Sequence, residues 1–125
     1  NFLIGVGPKN FRFECKKNQY HSQYACSTHP HNLYLQLLSE TGIFSFLFFI
    51  FFFIYATVNI FILVFSKTLN EISNIKLFLF LSIFVNLWPL APTGSVFNSW
   101  LNIIYYLPVA FLIYLNEKNK NITHL

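Results

Sequence analysis

The feature that most constrains this chain is the run from Ile43 to Ser66, 24 residues with no charged side chain and dense in phenylalanine. At 1.5 Å per residue, a helix of that length reaches roughly 36 Å, enough to cross a bilayer with some tilt. Inside lipid each backbone N–H and C=O must be satisfied without water, which a helix does within one segment. Composition points the same way: 55% of the 125 residues are hydrophobic, 21% aromatic and only 10% charged. A soluble domain carries roughly 25% charged residues. The net charge is +4 and Arg12 is the one arginine. With no basic stripe and interleaved aromatics outside the apolar runs, nucleic acid is not an expected partner.

Two more apolar stretches follow. Leu77–Leu90 holds 14 residues and ends at Trp88-Pro89. It predicts a short, kinked span of roughly 21 Å, or one continued irregularly through residues 91–95. A third span is expected from Val96 or Trp100 to Leu115, kinked at Pro108. The fold class expected is an all-α polytopic membrane protein. A loop with a short amphipathic helix (1–42) precedes about three transmembrane helices (43–66, 77–90, 100–115). Residues 67–76 and 91–99 connect them, and 116–125 form a polar tail. The sequence contains no methionine, position 1 included, and no signal peptide is recognisable at its start. We therefore expect a fragment of a larger helical bundle, with further spans upstream.

Charge gives an orientation. Lys67, Lys76, Lys118 and Lys120 flank the first connection or lie in the tail, whereas residues 88–99 carry no charge. The positive-inside rule places the former in the cytoplasm and the latter, with residues 1–42, outside. Lys9, Arg12, Lys16 and Lys17 then break the rule, which a need for cations on the outer face would explain.

Within residues 1–42, Gly5-Val6-Gly7-Pro8-Lys9-Asn10 is turn chemistry. Pro8 and the lack of a third glycine argue against a dinucleotide fingerprint. Phe11–Glu14 suits a short strand or one helical turn. Cys15 and Cys26 enclose ten mostly polar residues. They suit a disulfide in an oxidising compartment, free thiols, or a metal site with His21, His29 or His31, although paired zinc-ligand spacing is absent. Thr28 or His29 is placed to cap a helix starting near Pro30, and Gly42 to end it. On a helical wheel Asn32, Gln36, Ser39 and Glu40 share one arc, opposite Leu33, Tyr34, Leu35, Leu37 and Leu38. His31 falls in the middle of the apolar side, so the helix would lie along the membrane interface with His31 facing inward. Ionisable residues beside a span are costly and mark function.

Taken together, Gly5-x-Gly7-Pro8-x-Asn10-Phe11-Arg12 and His29-Pro30-His31-Asn32-x-Tyr34-x-Gln36-Leu37-x-x-Glu40-x-Gly42 resemble the C-terminal part of the O-antigen ligase family. That family also includes lipid-linked polysaccharide polymerases and protein O-oligosaccharyltransferases. Its motif is His, then Asn, Ser or Gln, nine residues, Gly, two residues, then Gly, Thr or Tyr. Here His31, Asn32 and Gly42 match, and Ser45 departs at the last position. Pro89-x-x-Pro92-Thr93-Gly94-Ser95 and Trp100 are also similar.

The resemblance implies a multi-pass protein of the bacterial inner membrane with its active site on the periplasmic face. A glycan would pass from undecaprenyl diphosphate to a hydroxyl of lipid A–core or another acceptor, with membrane lipid around the donor and no cofactor or metal. It implies His31 as catalytic base. Lys9, Arg12, Asn32 and Glu40 are the candidate substrate-binding residues, Arg12 standing in for a family arginine that lies farther upstream. A base at the positive end of a helix would be held neutral, and the same end offers N–H groups to phosphate. The reading from another class is a non-enzymatic metal-binding membrane protein using Cys15, Cys26, His29 and His31. A transporter finds little support, because no ionisable residue lies deep in any span.

Overall fold

The computed structural model describes residues 2–17, 29–66 and 70–123. Among them all regular structure is helical: α1 (Phe11–Glu14), α2 (Leu33–Glu40), α3 (Ile43–Phe65), α4 (Glu71–Asn86) and α5 (Ser99–Thr123). Among the described residues two stretches are long and apolar enough to cross a membrane, Ile43–Phe65 and Ser99–Lys118. The first coincides with the uncharged run. α4 departs from expectation at both ends. It begins inside the supposed polar connection, because Asn70 accepts a hydrogen bond from the Ser73 N–H at 2.8 Å and caps it. Glu71 then occupies the first turn, where a negative charge suits the helix dipole. It ends at Asn86, so its 16 residues reach about 24 Å. The supposed tail is also mostly helical, since α5 runs on to Thr123 and continues through Pro108.

The chain divides into two compact units. One comprises Phe52–Trp88 and Asn102–Leu125. In it Phe53 stacks on Phe84 with ring centroids 5.2 Å apart, and both rings meet Trp88. Ala56, Phe80, Ile83, Leu87 and Leu112 are buried there.

The other unit comprises Asn1–Phe51 and Pro89–Leu101 and contains every residue singled out for chemistry within the described range. Its centre is α2. The final carbonyls of a helix have no partner within it, and here the N-terminal segment supplies them. The Val6 N–H donates to Ser39 O and the Gly7 N–H to Glu40 O, both at 2.9 Å. Just beyond the helix, the Ile43 N–H donates to Phe2 O at 3.2 Å. Such close backbone approach requires two glycines. A Cβ on Gly5 (φ +68) would strike the Glu40 carbonyl, and one on Gly42 (φ +82) the Leu3 carbonyl. Gly42 directly follows the C-cap Thr41, where a left-handed residue ends a helix.

Candidate functional site

Helix α2 starts at Leu33, not near Pro30, and its N-cap is Asn32. The Asn32 Oδ1 accepts from the Tyr34 N–H at 3.0 Å and the Leu35 N–H at 3.1 Å. Its Nδ2 donates to Pro89 O at 2.6 Å. The proline cue was overridden because Asn32 satisfies two of the helix's orphan donors at once, which His29 cannot do. Two consequences follow. His31 precedes the helix instead of sitting in its first turn, and two N–H groups expected to face a phosphate are taken. His31 is exposed rather than turned inward. Its carbonyl accepts from the Thr93 N–H at 2.9 Å, tying it to residues 89–98. Its ring lies edge-on to that of His29, with centroids 4.7 Å apart.

The polar arc of α2 also turns out to face the other way. Gln36 and Glu40 are fully buried along with Leu33, Tyr34 and Leu37, while Leu35 is 59% exposed. Buried polar groups need partners, and these have them. Glu40 Oε1 accepts from the Phe11 N–H and Oε2 from Gln36 Nε2, each at 3.1 Å. Gln36 Nε2 also donates to Ser95 Oγ at 2.9 Å, and Gln36 Oε1 accepts from the Val96 N–H at 3.1 Å. The chain Phe11–Glu40–Gln36–Val96 therefore joins α1, α2 and the segment before α5. Tyr34 packs edge-on against Phe46, and burial pushes its hydroxyl pKa up to about 12.

A cavity of about 230 Å³ opens beside this network, lined by Lys9, Arg12, His29, Glu40, Ser95 and Asn98. Arg12 Nε donates to Lys9 O at 3.3 Å, and its guanidinium lies over the Phe13 ring. Lys9 has φ +62, a conformation that costs a residue with a Cβ roughly 1–2 kcal/mol and recurs at functional positions. Asn10 Nδ2 donates to Val6 O at 3.0 Å and closes the turn from which both cations project.

Of the expected site residues, Lys9, Arg12 and Glu40 come together at one cavity. Asn32 has both ends of its amide engaged within the protein, and His31 stands outside the cavity lining. His29, expected to cap the helix or to serve a metal site, is in the lining, as is Ser95. Cys15 is disulfide-bonded, and a sulfur so engaged offers no thiolate to a metal. Cys26, His21 and the alternative cap Thr28 lie outside the described residues. Among the described residues no group of three or more His, Cys, Asp or Glu is arranged to hold a metal ion.

Known proteins bear on the reading at one point. Residues 1–50 match the family model described as O-antigen ligase, in agreement with the resemblance read from the motif. No curated protein and no solved structure matches the chain.

Proposed function

We propose that this chain, whose first 50 residues match the family model described as O-antigen ligase, takes part in moving a glycan from undecaprenyl diphosphate to a hydroxyl of lipid A–core. The reaction runs on the periplasmic face of the bacterial inner membrane, with α3 among the helices beside the lipid donor. The acceptor O–H is deprotonated by His31, and its oxygen attacks the anomeric carbon. The bond from that carbon to the diphosphate breaks, and the diphosphate leaves with the electron pair. A general base must reach the proton it removes, and the exposed His31 ring is open to an incoming acceptor. The leaving diphosphate gains negative charge, which preorganised cations stabilise. Lys9 and Arg12 supply that charge, arginine with two-pronged geometry.

The observation that carries this reading is the cavity in which two cations and His29 meet beside the motif helix, with His31 4.7 Å from His29 ring to ring. Polymerisation on the carrier, or transfer to a protein hydroxyl, would use the same base and cations with a different acceptor. The test is complementation of a ligase-deficient strain. His31→Ala should insert at the wild-type level and leave lipid A–core without attached glycan. Wild-type attachment by that variant would sink the proposal. Altered glycan chain length with normal attachment would point to the polymerase instead.

A further inference from the structure

We infer that Glu40 is a positioning residue, which with Gln36 holds the turn bearing Lys9 and Arg12 against helix α2, and that it does not bind the sugar. The inference rests on the proposed function only for what the positioned cations do; the mechanical part stands on geometry.

Glu40 is closed to solvent and each of its carboxylate oxygens already accepts a hydrogen bond. Lone pairs remain on both oxygens, but a sugar hydroxyl would have to open the packing around a side chain with no exposed surface to reach them. What Glu40 holds is specific. The Phe11 N–H is the first of α1, whose N-cap Asn10 makes no side-chain cap bond. Glu40 thus caps that turn from another element, one residue before Arg12 and two after Lys9. The Glu40 carbonyl, accepting from the Gly7 N–H, secures the other side of the same turn.

The pairing with Gln36 has a fixed polarity. Backbone N–H groups stand at both ends of the chain, Phe11 at one and Val96 at the other, and both point inward. Each side chain must therefore offer an oxygen outward. Between them, one must donate and the other accept. One amide and one carboxylate meet all these demands. Two amides would oppose NH2 groups, and two carboxylates would oppose oxygens. The order of the pair, however, is free. With Gln36→Glu and Glu40→Gln together, every bond in the chain can re-form, and the Ser95 hydroxyl, which can donate or accept, turns to match.

This predicts a reciprocal pattern. In the protein held in detergent micelles, where both faces are open to protease, trypsin cleavage after Lys9 and Arg12 reports opening of the turn, with cleavage after Lys118 as internal reference. Glu40→Gln and Gln36→Glu should each speed cleavage at Lys9 and Arg12 by about tenfold, since each strands a buried polar group and cleavage follows the open population. The double exchange should return cleavage to within about twofold of wild type if pairing is restored. Glycan transfer should fall in both single variants, through a raised donor KM, and recover in the double. Wild-type cleavage in Glu40→Gln overturns the inference, and so does a double variant as open as the singles. Restored protection without restored transfer overturns it too, because Glu40 would then act on substrate directly. If wild-type protein shows no transfer at all, the proposed function falls, and the cleavage comparison still decides the role of Glu40.

Discussion

Asn32 makes two kinds of bond with one amide, and Asn32→Asp separates them. The variant keeps an oxygen for the Tyr34 and Leu35 N–H groups, so the helix cap survives. It loses the donor to Pro89 O, and in its place an ionised oxygen faces that carbonyl across the 2.6 Å gap. Losing the bond costs about 0.5–1.5 kcal/mol, and the carbonyl left against a repelling neighbour adds about 1–3 kcal/mol. A loss of about 2–3 kcal/mol at neutral pH is expected. Asn32→Ser, with one oxygen that can both donate and accept, should lose only about 1 kcal/mol.

The cap N–H groups and the helix start favour the carboxylate by about 0.3–1 kcal/mol, less than the penalty set against it at Pro89 O, so on balance its folded-state pKa is raised above the ordinary value of about 3.9. A raised pKa gives stability that is present at low pH and lost as pH rises through the folded value. The gap to wild type should therefore narrow from neutral pH toward about pH 4, where the neutral acid donates to Pro89 O. Thermal unfolding in detergent micelles, with each variant compared with wild type at the same pH, reads this directly. A variant as stable as wild type at neutral pH would refute the reasoning, as would a deficit unchanged in acid. The same logic accounts for the motif's tolerance at this position. Asn, Ser and Gln each carry a donor and an acceptor; aspartate, when ionised, carries acceptors only.

Other outcomes follow from features already described. Gly42→Ala and Gly5→Ala each place a Cβ on a carbonyl at a left-handed φ, and each should lower stability by at least about 2 kcal/mol in the same melting assay. Tyr34 should ionise only near pH 12 in an absorbance titration of the folded protein. Because its pKa is raised from 10.0, its contribution to stability is complete below that value and lost as pH rises toward about 12. Tyr34→Phe should remove that part of the alkaline decline.

How far the sequence could be read depended on whether the deciding partner was local. α3 was legible because the absence of charge over a membrane's width leaves a helix as the available form. The C-terminal end of α2 was legible at Gly42 for a similarly local reason. The start of α2 was misread because Pro30 and Asn32 are competing cues two residues apart, and the contact that decides, Pro89 O, lies 57 residues away. The spacing of Gln36 and Glu40 shows that they share a helix face, but says nothing of which face is covered. Ser95 and Val96 cover it, and nothing in a charge-free loop announces that. α4 was placed late because its first turn is polar, although Asn70 is a usual cap. His29 was set aside in favour of His31 by the motif, which ranks residues by chemistry and not by which of them lines a cavity.

The bond from the Val96 N–H to Gln36 spans 60 positions of chain, and a ribosome has a direction. At about 5–20 residues per second, Gln36 is made roughly 3–12 s before the segment that satisfies it. For that interval α2 exists without its cover, and the amide must be held by water or by something else at the membrane surface. The pocket of cations is thus completed late in synthesis, when residues 95 and 96 arrive. A chain arrested between Trp88 and Pro92 would already contain His31, Arg12 and Glu40 with their partner segment still unmade, so assembly of the site is timed by translation as well as by sequence.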